Sequence, residues 1–168
     1  MDQKGEYSYA ASVKSDVSDE LINTYLLRPI AGLIVKLLYG TPITPNQVTV
    51  ASTVSGLLAG LFYLGGTAAS VATAGLLVTL KDVLDSADGQ LARAKNQYTR
   101  IGRFLDSIGD FVVDLAVFAA IGWTLYRSSR DITTLVWAFL GFIGITLRVS
   151  YHVFYHTSFL HLEKKYQM

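Results

Sequence analysis

Residues 85–110 read DSADGQLARAKNQYTRIGRFLDSIGD and hold the spacing D-x2-D-G-x2-A-R-x8-G-x3-D-x3-D. If both halves are helical, a rotation of about 100° per residue places Asp85 and Asp88 on one face of the first helix. Asp106 and Asp110 share a face of the second helix in the same way. The short polar segment between the halves predicts a turn that joins two antiparallel helices. Two carboxylates from each helix are therefore expected to meet across one cleft.

Four carboxylates in one apolar cleft require a cation, because like charges repel and burial adds to the cost of keeping them ionised. Hard oxygen ligands favour Mg²⁺, Mn²⁺ or Ca²⁺, and a pair of such ions recurs in phosphoryl-transfer sites. We predict two divalent ions, Mg²⁺ or Mn²⁺. The guanidinium of Arg93 suits a phosphate oxygen, while Gly89 and Gly102 leave room for a ligand or a facing backbone.

Every specified position of this spacing matches the signature of the CDP-alcohol phosphotransferase family, which the segment therefore resembles. The resemblance implies a membrane enzyme that breaks the pyrophosphate of a CDP-linked donor, passes the substituted phosphoryl group to an alcohol and releases CMP. It also implies that Asp85, Asp88 and Asp106 are metal ligands, with Asp88 bound either directly or through water. Asp110 is implied to contact metal and to be the catalytic general base that takes the proton of the acceptor hydroxyl.

The same resemblance assigns the nucleotide side of the site. The segment TPITPNQVT at residues 41–49 resembles the family's entry into its first span, where Asn46 and Thr49 would hydrogen-bond to donor groups. The alternative for this segment is a helix cap and nothing more. The predicted donor-binding residues are Asn46, Thr49, Gly89, Arg93, Thr99 and Gly102.

Composition places the chain among membrane proteins. Its 168 residues are 51% hydrophobic, and the mean hydropathy of +0.38 is high for a soluble protein of this length. Val48 to Leu80 contain no charged residue and are too long for one bilayer crossing, so the Gly65-Gly66 pair is predicted to be a turn between two spans. The absence of a basic run argues against nucleic-acid binding, and the absence of cysteine excludes thiolate chemistry. Met1 to Ser18 lack the apolar core of a signal peptide.

The predicted fold is all-α and polytopic, with an interfacial amphipathic helix followed by a transmembrane helical bundle. Pro29 is expected to bend or divide the first helix, which begins near Ser18. The expected organisation is a flexible tail at 1–17, the interfacial helix at 18–43 and a transmembrane domain at 44–168, with spans near 45–64, 68–94, 101–125 and 132–155. The family usually has six spans. A chain of four is either a truncated piece or a shorter member that completes its cavity as a homodimer.

The distribution of Lys and Arg predicts the orientation of the bundle. One face holds the N-terminus, the turn from Arg93 to Arg103 and the C-terminal tail, whereas the other holds Arg127 and Arg130. By the positive-inside rule the first face is cytoplasmic, so the site is expected to open to the cytoplasm from the cell membrane.

Ionisable residues outside the signature leave alternatives open, because charges within a span are costly unless they face a polar interior. Lys81 and Asp82 are either functional or an internal pair tied to nearby carboxylates. Asp114 either supports a metal ligand or faces an aqueous cavity. Arg148 either binds a phosphate on the acceptor or pairs with Asp114.

The acceptor stays open among inositol phosphate, glycerol phosphate, serine, ethanolamine and a lipid diol, while CDP-diacylglycerol is the expected donor. The segment from Asn23 to Thr49 resembles members of the family that make inositol-phosphate lipids. The alternative function is an ion or proton transporter that uses acidic residues within its spans. That alternative predicts ion flux without metal, whereas the transferase predicts metal-dependent release of CMP.

Overall fold

The computed structural model describes residues 23–166 and shows a helical chain over that range. A π-helical turn at Asn23–Leu27 leads into five α-helices: α1 (Arg28–Tyr39), α2 (Pro45–Tyr63), α3 (Ala68–Ala94), α4 (Arg100–Ser129) and α5 (Thr133–Tyr166). The all-α prediction is confirmed. The predicted tail at 1–17 and the predicted helix start at Ser18 lie outside the described residues.

Threonine caps explain where α2 and α3 begin. The backbone N–H of Thr44 donates to Gln47 Oε1 over 2.9 Å, and its hydroxyl accepts from the Gln47 N–H, so the two residues form a capping box. Thr67 caps α3 through an equivalent box. Both helix starts agree with the predicted helices.

The later helices are longer than predicted. Helix α4 begins after Thr99, whose hydroxyl accepts from the Gly102 N–H over 2.9 Å, and it continues to Ser129 rather than to residue 125. Helix α5 continues to Tyr166 rather than to residue 155. Both helices therefore extend beyond the apolar stretch from which their length was predicted.

Pro29 lies where the first helix changes its hydrogen-bond pattern. The π-helical turn ends at Leu27, and α1 begins at Arg28 with the proline in its first turn, where a missing N–H costs little. The backbone stays helical through Leu27, so the predicted bend or division at Pro29 is seen only as a change from π-helical to α-helical hydrogen bonding. Gly40 ends α1, as predicted.

The turns on either side of α3 use left-handed backbone conformations. Gly66 has φ +66° in the turn between α2 and α3, which confirms the predicted turn at Gly65-Gly66. Asn96 has φ +54° in the turn between α3 and α4. Asparagine tolerates this conformation better than most residues, so the polar segment predicted to be a turn is suited to reversing the chain.

Helix α2 is the centre of the fold, since α3 packs along one side of it and α4 along another. On the α3 side, Ser52 Oγ donates to the Lys81 carbonyl over 3.1 Å, and Ser55 Oγ donates to the Leu77 carbonyl over 2.9 Å. Helix α1 packs on α3, and α5 packs on α4. Small hydroxyl residues therefore let α2 and α3 approach closely, as helices in lipid commonly do.

Glycines bring α2 and α4 equally close. A Cβ built on Gly56 of α2 would lie 2.5 Å from Val113 Cγ1, which is closer than real Cβ contacts. Gly109 of α4 faces Thr53 at similarly short range. These two glycines are required for the helix spacing, not for backbone freedom.

A small apolar cluster at the junction of α1, α2 and α3 supports the first half of the signature. It contains Ala31, Val35, Val48, Ala87 and Leu91. Gln90 lies fully buried beside it, and its Nε2 donates to the Arg28 carbonyl over 3.1 Å. Helix α1 is thus attached to the same stretch of α3 that carries the aspartates.

Within the described residues, one helical segment is long and apolar enough to cross a membrane by length and composition, Thr133–Tyr151 of α5. Helices α2, α3 and α4 also present large apolar side chains on their outer surfaces, for example Leu61, Leu76 and Phe111. Helices α3 and α4 give part of their length to the polar signature at residues 85–110, and α2 has the polar residues Asn46 and Gln47 in its first turn.

Candidate functional site

Three of the four signature aspartates come together in the structure. Asp85 and Asp88 lie on α3, and Asp106 lies on α4 beyond the intervening turn. One carboxylate oxygen from each residue lies within 4.8 Å of the other two. The structure therefore brings these three carboxylates into one cluster, as the helical spacing predicts.

Asp110 lies outside this cluster and pairs with a lysine instead. Its Oδ1 forms an ion pair with Lys81 Nζ. The same ammonium lies 3.7 Å from Asp82 Oδ1 and 3.9 Å from Asp85 Oδ1. The structure thus shows Lys81 tied to neighbouring carboxylates, while a functional role for Lys81 and Asp82 stays a prediction.

Helix α2 contributes Thr49 to the site. The Thr49 hydroxyl donates to Asp88 Oδ2, and both residues are buried. The cap of α2 belongs to Thr44, so capping alone does not account for Thr49. A hydrogen bond to one carboxylate oxygen fixes the direction of the Asp88 side chain.

An open cavity of about 530 Å³ connects the aspartates with the predicted donor-binding residues. This volume is within the range of small-molecule sites. All six predicted donor-binding residues line it, together with Asp88 and Asp106. Its other lining residues are Pro45, Ala92, Gln97, Tyr98 and Arg103.

Three cavity-lining residues were missed from the sequence. Gln97 and Tyr98 lie in the turn between α3 and α4, and Arg103 lies in the first turn of α4. Their proximity to Thr99 in the chain was the available signal. They add an amide, a phenol and a second guanidinium to the lining of the cavity.

The two signature glycines differ in what they accommodate. A Cβ on Gly102 would lie 2.7 Å from Asn46 Oδ1 and 2.9 Å from Thr99 Oγ1, so Gly102 permits the close approach of α2 and α4. A Cβ on Gly89 would lie 3.7 Å from Arg93 Nη1, which is an ordinary contact. The protein itself therefore does not require glycine at position 89, and that face of α3 borders the cavity.

Lys95 holds the entrance to α2 against the end of α3. Its ammonium donates to the Thr41 carbonyl over 2.8 Å and to the Ile43 carbonyl over 2.7 Å. Partial burial lowers the pKa of Lys95. These two bonds fix the loop before α2 and hence the position of Asn46 at the cavity.

Arg148 does not line this cavity. It lies on α5 beside a separate hollow that Leu147 and Tyr151 also line. It is nevertheless at the same end of the bundle, because Phe142, less than two turns earlier, packs its ring 5.5 Å from that of Phe111. Its predicted roles, binding an acceptor phosphate or pairing with Asp114, both stay predictions.

The clustered carboxylates fit a hard divalent cation. The three aspartates supply only oxygen ligands, which Mg²⁺ and Mn²⁺ prefer. Lys81 brings one positive charge to a signature with four aspartates, so the group remains strongly acidic. The ligand set and its charge are therefore appropriate for a divalent metal ion, while the identity of the metal and the number of ions stay predictions.

Comparison with known proteins agrees with the signature. Residues 42–164 match the family model described as CDP-alcohol phosphatidyltransferase. A bifunctional IPC transferase and DIPP synthase of Thermococcus kodakarensis is 31% identical over 135 residues, which cover 79% of this chain and 29% of that protein. A phosphatidylinositol phosphate synthase of Corynebacterium glutamicum is 33% identical over 126 residues, which cover 75% of this chain and 55% of that protein.

A further relative, an archaetidylinositol phosphate synthase of Pyrococcus horikoshii, is 37% identical over 87 residues, which cover 51% of this chain and 44% of that protein. The chain thus spans between 29% and 55% of the length of these three relatives. The family match over residues 42–164 includes the signature, and the relatives carry additional sequence.

Proposed function

The chain belongs to the CDP-alcohol phosphatidyltransferase family, a family of transferases, and we propose that it transfers a substituted phosphoryl group from a CDP-linked donor to an alcohol in phospholipid synthesis. The observation that carries the proposal is the single cavity that joins two clustered aspartates to every predicted donor-binding residue. A nucleotide diphosphate in that cavity would have its phosphates beside both the carboxylates and Arg93.

In this proposal each signature residue has a defined task. Asp85, Asp88 and Asp106 would hold divalent metal, Mg²⁺ or Mn²⁺, with Asp110 as a further ligand if two ions bind. Metal bound there would supply positive charge to the phosphoryl oxygens. Arg93 would bind a donor phosphate.

Asp110 would act as the base. It takes the proton as the acceptor oxygen bonds to the phosphorus that carries the lipid group. The P–O bond to the CMP phosphate breaks, and CMP leaves with the electron pair. Protein groups therefore account for binding, orientation and proton removal.

The donor and acceptor are proposed from the relatives. The names of two of them state synthesis of phosphatidylinositol phosphate and archaetidylinositol phosphate. For this chain we propose CDP-diacylglycerol as donor and inositol phosphate as acceptor. Arg148, at the same end of the bundle as the aspartates, would bind the phosphate of the acceptor.

The proposed membrane placement is a polytopic bundle in the cell membrane with the site facing the cytoplasm. Residues 18–43 would lie in the interface, and 44–168 would form the transmembrane domain, in which α2, α3, α4 and α5 each cross. The apolar outer surfaces of these helices support this placement. A homodimer in which a second copy of the chain completes the cavity is part of the proposal.

Cysteine labelling tests the placement, because the chain has no native cysteine. Single cysteines at Gln97 and at Thr67 lie in the turns at opposite ends of α3. In intact cells, an impermeant maleimide should label Thr67→Cys from outside and reach Gln97→Cys only after permeabilisation. Labelling of both from the same side would overturn the topology.

The reaction is tested with purified protein, Mg²⁺ and CDP-diacylglycerol. CMP release is measured against inositol phosphate, inositol, glycerol phosphate, serine and ethanolamine. We expect the highest rate with inositol phosphate and none in excess chelator. Undiminished CMP release in excess chelator would overturn the metal requirement, whereas ion flux in liposomes without any CMP release would favour the transporter alternative. Clustering of the aspartates at one end of the helices already disfavours that alternative, since a transport path must cross the bilayer.

A further inference from the structure

The ion pair between Lys81 and Asp110 joins α3 and α4, the two helices that carry the signature. Resting on the proposed function, we infer that Lys81 is a positioning residue that holds Asp110 in the orientation needed to accept the proton of the acceptor hydroxyl. Lys81 itself touches no substrate in this scheme and acts through Asp110.

Lys81 contacts carboxylates from two helices. Its Nζ pairs with Asp110 Oδ1 on α4 and lies 3.7 Å from Asp82 Oδ1 and 3.9 Å from Asp85 Oδ1 on α3. The Lys81 side chain is 13% exposed, whereas those of its three partners are 33–47% exposed. The ammonium is therefore the most enclosed member of the group, and the carboxylates surround it.

The backbone of Lys81 is itself held in place. Ser52 on α2 donates its hydroxyl to the Lys81 carbonyl over 3.1 Å. Helices α3 and α4 each pack mainly on α2 and contact each other little through their backbones. The Lys81 side chain therefore couples the position of the Asp110 carboxylate on α4 to the packing of α2 on α3.

The contact engages only one oxygen of Asp110. Within the described residues, no other hydrogen bond or ion pair to Asp110 occurs. Its second oxygen, Oδ2, is left to receive a proton. A carboxylate held by one oxygen loses rotational freedom without losing its capacity as a base, and such orientation is a large part of catalysis.

The test compares Lys81→Met, which removes the ammonium but keeps an unbranched side chain, with Lys36→Met on the exposed surface of α1. Both proteins and the wild type are assayed for kcat and for the KM of CDP-diacylglycerol by CMP release. Mn²⁺ binding to each protein without substrate is measured by electron paramagnetic resonance. The Mn²⁺ measurement separates a misoriented Asp110, which leaves metal binding intact, from general damage to the site, which weakens metal binding.

We expect Lys81→Met to lower kcat by about ten- to a hundredfold, the scale for a misplaced catalytic group. The donor KM should stay within about threefold, because the ground-state contacts of CDP remain. Mn²⁺ should bind as tightly as in the wild type or more tightly, since a positive charge beside the carboxylates is gone. Lys81→Arg should recover part of kcat, and Lys36→Met should match the wild type.

Two outcomes would overturn the inference. One is a kcat for Lys81→Met within about threefold of the wild type, too small for loss of orientation. The other is weaker Mn²⁺ binding in proportion to the lost kcat, which would show that the whole site is damaged.

A double variant decides the case even if Lys81→Met alone does not fold. Adding Lys81→Met to Asp110→Asn removes both charges of the ion pair and should lower kcat no further than Asp110→Asn alone. A further loss of about tenfold or more would show that Lys81 acts independently of Asp110. Absence of CMP release from the wild type would overturn the proposed function and the inference with it, whereas an unaffected variant beside an active wild type overturns the inference alone.

Discussion

Helices α2, α3 and α4 are joined by polar contacts, whereas α5 is joined to α4 by rings and small apolar residues. In the first region, hydroxyls of α2 bond Asp88 and carbonyls of α3, and Lys81 bridges α3 to α4. In the second, Phe142 packs against Phe111 and Phe118. The polar region holds the predicted donor site, and the apolar region carries Arg148.

This difference in packing corresponds to a division between donor binding and acceptor binding in the proposed reaction. Groups expected to bind CDP are fixed by hydrogen bonds within the three-helix unit, where small displacements would matter most. The group proposed for the acceptor is on a helix attached through one face. Changes in the three-helix unit should therefore affect chemistry and stability together, whereas a change at Arg148 on α5 should affect the acceptor alone.

The largest effect is expected from Asp106→Asn, which removes the contribution of α4 to the carboxylate cluster. CMP release should fall to the background rate, and Mn²⁺ binding should weaken, because a metal ligand is lost. Asp131→Asn at the start of α5 is the control, since asparagine can replace the aspartate that accepts from the Thr133 N–H over 2.9 Å. Substantial turnover by Asp106→Asn would remove the cluster from the mechanism.

Asp110→Asn should come next, with kcat lowered by about 10² to 10⁴ and the donor KM nearly unchanged, because a general base is lost. The measurement is steady-state CMP release at saturating acceptor. A raised donor KM with an unchanged kcat would instead assign Asp110 to donor binding.

Arg148→Ala should raise the acceptor KM by about ten- to a hundredfold for a phosphorylated acceptor, since a charge-assisted contact of roughly 1.5–3 kcal/mol is lost. The donor KM should not change, and Arg127→Ala at the other end of α4 should change neither constant. A double-mutant cycle with Asp114→Asn on the melting temperature tests the structural alternative. Strong coupling in stability with an unchanged acceptor KM would end the acceptor role.

Thr49→Val should lower the free energy of unfolding by about 1–3 kcal/mol, because the buried Asp88 carboxylate loses a hydrogen-bond donor. Thr53→Val is the matched control on the same helix, since the Thr53 hydroxyl donates to the Thr49 carbonyl of its own helix over 3.0 Å. Thermal unfolding in detergent without metal measures both. Equal losses in the two variants would show that the bond to Asp88 contributes no specific stability.

Glycine substitutions in the two regions should change stability in opposite directions, and the smallest effect of all is expected on α5. Gly56→Ala places a methyl group against Val113 and should destabilise the fold by about 1–3 kcal/mol through overpacking. A Cβ at Gly144 on α5 meets nothing within 4 Å, so Gly144→Ala should stabilise its helix by up to about 1 kcal/mol. Melting temperatures that move in the same direction would contradict the difference in packing.

Local patterns made much of the fold predictable. Threonine caps and the glycine pair mark the starts of α2 and α3 and the turn between them, because capping and left-handed backbone depend on a few adjacent residues. The meeting of Asp85, Asp88 and Asp106 follows from helical spacing across a short turn. The family assignment rests on the same spacing and is confirmed by the match over residues 42–164.

Contacts between distant parts of the chain were less predictable. The central position of α2 depends on how small residues at Ser52, Ser55 and Gly56 match their neighbours, which no periodicity reveals. The choice of Asp110 as the partner of Lys81 requires the relative depth of α3 and α4. For the same reason the sequence left Arg148 between two roles.

The length of the turn between α3 and α4 determines how the carboxylates of the two helices are aligned. Lys95 is pinned to the loop before α2, and Thr99 fixes where α4 begins. Insertion or deletion of one residue between them would change the length of the connection, so that Asp106 could not stay opposite Asp88 while both attachments hold. A point change at the exposed Asn96 leaves the chain length intact, but an indel at the same codon would dismantle the carboxylate cluster without altering any residue in it.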